Sequence, residues 1–293
     1  MDYEYRLISI YLFICKHWDG VQWHCMRYSN YTDLSFTDEE AIAIYLFCVT
    51  DGRRTIKEIY EYADRHLRAF FPLLPGYKAF DARLNKICDA FVPLMAAMEN
   101  DGERAIFPEG TTNVTDAMPI VMAQRGRRFS AKVAPEIATG NGYCATKKMH
   151  YYGVKLHVVG ARRKGALPLP HKIGLTDAGT HDLKAYAQVE PEIYHDVFAD
   201  KAYQTEGSPV REAEKYTLYT PPKKEKGQTL KDAADDLLGT AISKVRQPIE
   251  SFFNWINEKT GIQVASKVRS YNGLMTHVFG KLAAAYLLIF KII

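Results

Sequence analysis

The sequence predicts an α/β domain, a mixed sheet with flanking helices, preceded by an all-helical N-terminal domain. Three observations lead there. Apolar residues recur at helical spacing through roughly the first 105 residues. After Asp101-Gly102 the period changes to short apolar runs that read as strands. Those runs then follow the order strand, hairpin, helix, strand, strand, helix, which is a mixed α/β order. The expected domains are residues 1–105 and 106–293, and 293 residues suit two domains at roughly 150 residues each.

In the first domain, Thr37 stands three residues before Glu40 and just ahead of the apolar run Ala41–Phe47, a capping box that opens a helix. Thr55 and Glu58 repeat the device before Ile59-Tyr60. Pro72 and Pro75-Gly76 break the pattern. A further helical stretch runs from about Tyr77 to Met98, with Phe80, Leu84, Ile87, Cys88, Phe91 and Leu94 at helical spacing. Pro93 is expected to kink or divide it. Helix, short Pro/Gly turn, helix matches a helix-turn-helix in outline, although any small helical bundle would show the same.

In the second domain, Ala105–Phe107 and Val114–Ala123 read as strands, with a bend or bulge expected at Pro119, which lacks a ladder donor. Tyr151–Val159 alternates apolar and polar residues, Gly160–Gly165 is a basic turn, and Leu167–Leu175 completes a hairpin. A helix is expected around His181–Val189, and strands at Val197–Ala199 and Tyr216–Tyr219, the latter closed by Pro221-Pro222. The acidic segment Asp232–Asp236 leads into a strongly helical segment around Glu250.

Composition is that of an ordinary globular protein, 47% hydrophobic and 25% charged. The net charge of +4 decides nothing, but its distribution does. Val121–Lys172 holds eleven Lys/Arg against the single acid Glu136, a local +10 that leaves −6 for the rest of the chain. An excess of this size favours a polyanionic partner over a solvated face, where acids usually interleave with bases. The five cysteines are widely spaced and odd in number, with no Cys-x-x-Cys pair, which points to a reducing compartment without a disulfide or zinc framework. The acidic start Met1-Asp2-Tyr3-Glu4 does not fit a signal peptide. The most apolar run, Leu282–Phe290, is too short to span a bilayer, so no membrane partner is expected.

Three carboxylates carry the chemistry: Asp116 and Asp200, which sit in or just after apolar strand-like runs, and Glu250 on its helical segment. Three acids from three separate elements can hold two Mg²⁺ ions about 4 Å apart. Such a pair activates a water or 3′-hydroxyl and stabilises the leaving oxygen of an in-line displacement. The cations are also what makes crowding of the carboxylates tolerable. Composition alone does not choose these three; Asp177, Asp182, Asp196 and Asp232 are alternatives, and an Asp after a strand is more often a turn former or helix cap.

Four phrases narrow the choice. Asp116-x-x-Pro119-Ile120, Tyr152-Gly153-x-Lys155-Leu156-His157, Asp200-Lys201-Ala202-Tyr203 and Arg246-x-x-x-Glu250-x-x-Phe253 stand in the order seen in bacterial insertion-sequence transposases of the DDE type, and the chain resembles that family. The helical opening is similar too, through Phe36-Thr37-Asp38-Glu39-Glu40 and Leu74-Pro75-Gly76-Tyr77. The resemblance implies an RNase-H-like domain with a mixed five-stranded sheet and Asp116, Asp200 and Glu250 as catalytic metal ligands. It implies two Mg²⁺ ions, with Mn²⁺ able to substitute. It also implies cleavage of transposon-end DNA and joining of 3′-hydroxyls to target DNA by a homodimer in the bacterial cytoplasm, associated with the nucleoid.

A related signature of this superfamily, Tyr-x2-Arg-x3-Glu-x6-Lys, is met by Arg246 and Glu250 only. Ser243 takes the Tyr position, Asn257 the Lys position, and Lys259 comes two residues late. Nine residues after Glu250 is about 180° round a helix, so Lys259 reaches the Glu250 face only if the helix ends or bends first. Arg246, one turn before Glu250, shares its face and suits a phosphate contact. Lys155, His157 and Lys201 are further candidate phosphate contacts. Arg125, Arg127, Arg128, Arg162 and Arg163 are candidates to grip DNA backbone. The competing readings are a DNA-binding protein of transposase descent without catalysis, and a stand-alone nuclease of the same fold.

Overall fold

A computed structural model describes residues 3–25, 34–101, 112–186, 189, 195–204, 208–212, 216–224, 227–228 and 232–293. The helices are α1 (Tyr3–Val21), α2 (Asp38–Thr50), α3 (Ile56–Tyr62), α4 (Tyr77–Lys86), α5 (Phe91–Asp101), α6 (Asp182–Tyr186), α7 (Ala233–Thr260) and α8 (Tyr271–Ile289). The strands are β1 (Thr112–Gln124), β2 (Asn141–Cys144), β3 (Met149–Ala161), β4 (Leu169–Asp177), β5 (His195–Phe198), β6 (Val210–Glu212) and β7 (Tyr216–Tyr219). The expected strand at Ala105–Phe107 lies outside the described residues.

The chain divides into two compact units: residues 1–105 with 133–135 and 256–293, and residues 106–132 with 136–255. The division is not linear. Helix α8, which a boundary at residue 105 would leave with the sheet, packs against α2, α4 and α5.

In the helical unit both capping boxes form. The Thr37 hydroxyl accepts from the Glu40 amide at 3.2 Å and the Glu40 carboxylate from the Thr37 amide at 2.6 Å. Thr55 and Glu58 exchange the same bonds, each at 3.2 Å. Every residue of Ala41–Val49 is buried, so α2 is covered all round by other helices. Side chains tie the helices across: Tyr45 Oη donates to the Thr276 carbonyl at 3.1 Å, and Thr276 Oγ1 to that of Leu84 at 3.2 Å. The stretch expected as one helix from Tyr77 to Met98 is broken at Ile87–Ala90 instead of at Pro93. Pro93 explains the shift: its ring excludes the carbonyl four residues earlier, Asp89, and in the first turn of α5 its missing amide costs nothing.

In the sheet unit the strand order is β2-β3-β1-β5-β7-β6, with β4 also paired to β3. β1 is central, antiparallel to β3 and parallel to β5, and β7 continues the parallel set. The mixed α/β class holds, but among the described residues the sheet has seven strands where five were expected. The additions, β2 and β6, are four and three residues long, too short to show alternation in sequence. The expected irregularity in β1 falls at Val121/Ala123, not at Pro119. β5 covers the other edge of β1 only at Thr112–Val114, so Pro119 withholds no donor from a second neighbour. Gly153 faces the bulge with φ +157°, and a Cβ there would lie 2.1 Å from the Ile120 carbonyl oxygen. The backbones approach too closely for any other residue.

Among the described residues no helix is long and apolar enough to cross a membrane. None of the five cysteines forms a disulfide among the described residues; Cys48 and Cys88 are buried as small hydrophobes, whereas Cys15 is exposed.

Candidate active site

Val114 pairs with Phe198 across the parallel β1–β5 ladder. Asp116 lies two residues beyond Val114, and Asp200 two beyond Phe198. The parallel pairing carries Asp200 to the end of β1 that bears Asp116, and the charge of Asp200 is felt at Asp116. Their sequence separation of 84 residues is thus closed by one register. Asp200 also starts the 3-10 turn Lys201–Tyr203, where its carbonyl accepts from the Tyr203 amide at 3.0 Å. Tyr203 is buried and meets Tyr186 edge-on at 5.8 Å, which anchors the turn in the apolar cluster under the site.

The third carboxylate arrives on α7. Arg246 and Glu250 are one turn apart, and the Arg246 guanidinium bridges Nη1 to Asp116 Oδ2 at 2.8 Å and Nη2 to Glu250 Oε1. Its Nε is buried with no hydrogen-bond partner among the described residues. Pro248, in the helix interior, deprives the Lys244 carbonyl of its helical donor. Burial pushes the Asp116 carboxyl up to about 6; Arg246 and the Ala117 amide, 2.8 Å from Oδ1, oppose this, and the charges of Asp200 and Asp182 add to it. Burial lowers the Arg246 pKa, but Asp116 and Glu250 outweigh it, so the guanidinium is held above its usual value.

A family model described as the transposase DDE domain matches residues 111–288, well over half of the chain. The chain belongs to the transposase DDE domain family. Neither the curated proteins nor the solved structures gave a match.

The remaining candidates of this DDE domain are dispersed. Lys155 is engaged beside the site, its ammonium donating to Asp182 Oδ1 at 2.9 Å and to the Thr180 carbonyl at 2.8 Å. His157 is buried, with Nε2 2.8 Å from Thr176 Oγ1, and burial lowers its pKa to about 4, so it is neutral at pH 7. Lys201 is exposed next to Asp200. α7 has no end before Thr260, so Lys259 keeps its offset of about 180° from Glu250. Arg125, Arg127 and Arg162 are exposed; Arg128 stacks over Phe129 at 4.2 Å, and Arg163 donates to the Leu167 carbonyl at 2.9 Å. Of the alternative acids, Asp177 is a turn former: its carboxylate accepts from the Thr139, Gly140 and Gly179 amides at 2.7–2.8 Å.

The donors fit a hard divalent cation in kind: they are carboxylates from separate parts of the unit, and Asp116 is costly to ionise where it is buried. As arranged, however, no three His, Cys, Asp or Glu side chains among the described residues are grouped to hold a metal, and Arg246 stands between Asp116 and Glu250. Sequence reasoning missed the cleft beside them, about 520 Å³, lined by Pro221, Gly239, Thr240, Ser243 and Gln247 together with Arg246 and Glu250. Its signal was present in the small residues Gly239 and Ser243, one turn apart on the Arg246 side of α7.

Proposed function

We propose that the chain is a DNA transposase that cleaves insertion-sequence ends and joins the freed 3′-hydroxyls to target DNA, on an RNase-H-like fold. The observation that supports the reading is the Arg246 bridge from Asp116 to Glu250, with Asp200 two residues past the end of the strand that pairs with the start of β1. The path β4-β3-β1-β5-β7, antiparallel then parallel, supports the RNase-H-like assignment.

Asp116, Asp200 and Glu250 would hold two Mg²⁺ ions, with Mn²⁺ as a substitute. When bound, such ions lower the pKa of the attacking water or 3′-hydroxyl and offset charge on the leaving oxygen. The protein's own groups orient the DNA. Arg246, whose two Nη groups bridge Asp116 and Glu250, would turn its planar fork to a phosphate once cations take over those carboxylates. Lys201 supplies a second cation beside Asp200. Arg125, Arg127 and Arg162 hold the backbone away from the reacting bond, giving affinity and salt dependence but little sequence information. The helical unit adds contacts to end DNA, and a homodimer brings two ends together.

The test is cleavage of the element's own end DNA by purified protein in Mg²⁺ or Mn²⁺. Asp116→Ala, Asp200→Ala and Glu250→Ala are each expected to lose about 100-fold or more of the rate. Undiminished cleavage by any of them overturns the assignment. Pre-cleaved ends separate transposase from nuclease, since a nuclease cuts without joining. The arginine bridge favours a second reading, DNA binding without catalysis; it predicts end binding with no nicking across a metal series.

A further inference from the structure

Lys281 is the only Asp, Glu, Lys or Arg in residues 274–290, on a face of α8 that is otherwise apolar or neutral. Its side chain is buried, with 2% of the residue exposed. An ammonium taken out of water needs a carboxylate or several good acceptors. Lys281 has neither: its one hydrogen bond among the described residues goes to the Gly261 carbonyl at 3.3 Å. Burial is the main cause that lowers its pKa, to about 7, and the Arg54 guanidinium lowers it further, with Glu58 opposing. Lys281 and Arg54 therefore lean on each other, with Glu58 offsetting them only in part.

Lys281 also lines a pocket of about 560 Å³ inside the helical unit. Gly273, Thr276, His277 and Lys281 form its α8 wall; Tyr45 comes from α2, Asn85 from α4 and Arg54 from the connection before α3. Four further cations, Arg54, Lys57, Lys267 and Arg269, line it against three carboxylates. His277 adds no charge, because burial lowers its pKa to about 3 and its Nε2 is used by the Ile262 carbonyl. Asn85 Oδ1 is buried there without a hydrogen-bond partner among the described residues, an acceptor open to a hydroxyl. The pocket thus pairs a buried, uncompensated amine and an exposed guanidinium with an open acceptor.

We propose that this pocket binds a phosphate group, with Lys281 at its floor and Arg54 at its rim. A phosphate supplies the missing counter-charge between the two cations, and in its monoprotonated form the hydroxyl for Asn85. The group is either free phosphate or a phosphodiester of bound DNA, and the experiment has an arm for each. The proposal does not depend on the catalytic reading of the carboxylates.

The full chain is melted in EDTA at pH 6.5, where the Lys281 amine is mostly charged, in sodium phosphate and in sodium chloride of equal ionic strength. Phosphate at ten times its dissociation constant should raise Tm by roughly 3–6 °C over chloride. Lys281→Met should remove that difference while melting no lower than the wild type in chloride, since it removes a buried charge. Should Lys281→Met fail to fold, Arg54→Met, at an exposed position, must abolish the same difference. In the second arm a short duplex is titrated by anisotropy at several salt concentrations. If the phosphate is DNA backbone, Lys281→Met lowers affinity and reduces the salt slope by about 0.9; if it is free phosphate, duplex affinity is unchanged while the phosphate-dependent Tm difference is lost. A phosphate effect equal in variant and wild type, or absent in both, together with unchanged duplex binding, overturns the proposal.

Discussion

Asp116→Asn should stabilise the protein when no divalent metal is present. The carboxyl is lifted from 3.8 to about 6 in the fold, chiefly by burial. Each unit is worth about 1.4 kcal/mol, so the ionised form costs up to ~3 kcal/mol. That figure is an upper bound, because the side chain retains 22% exposure to screening water. The attraction of Arg246 is already inside the net upward shift. The sign follows from linkage: between about pH 4 and 6 the folded chain keeps a proton that the unfolded chain has released. Stability therefore falls as pH rises through that window and stays reduced above it. Asparagine copies the neutral acid and has no such dependence. In EDTA at pH 8 the variant should unfold up to ~3 kcal/mol later, roughly 6–12 °C in Tm for a unit of this size, and the two proteins should converge near pH 4. Mg²⁺ or Mn²⁺ should then close the gap by stabilising the wild type alone. Thermal melts across pH 4–8, with and without metal, read all of this. A variant less stable than wild type at pH 8, or a difference that does not change with pH, refutes the reasoning.

Arg246→Met should act in the opposite sense: it removes the cation that lowers the Asp116 pKa, so at pH 8 in EDTA it costs about 2 kcal/mol, a loss that shrinks as pH falls and Asp116 takes up its proton, checked by urea midpoints. Gly153→Ala sets a methyl 2.1 Å from the Ile120 carbonyl oxygen and should cost about 3–5 kcal/mol, seen as a collapse of Tm. Thr37→Ala removes one half of a formed capping box and should cost about 1 kcal/mol, with no change in DNA cleavage. Replacing Arg127 and Arg162 together by Gln should lower the salt slope of DNA binding by up to about 2, since both are exposed and free to meet phosphates.

Local chemistry was legible in the sequence. The two capping boxes, the β3–β4 hairpin and the helix that carries Arg246 and Glu250 follow from contacts within a few residues, and composition along the chain reports those directly. The proposal of Asp116, Asp200 and Glu250 as the acids came from their neighbouring phrases read in order. Other features depended on distant partners. β2 and β6 exist because β3 and β7 have edges to pair, not because three or four residues prefer a strand. α8 joins the first helices because Tyr45 and Leu84 meet Thr276, about 190 residues or more away in sequence. Nothing near Asp116 announces that Val114 aligns with Phe198, or that a guanidinium 130 residues later spans Asp116 and Glu250. The sequence alone determined which residues could do the chemistry, because side-chain type and helical or strand period are local properties. Only the tertiary structure decided that Asp116 is buried against Arg246, since burial and opposing charges come from elements that meet through folding.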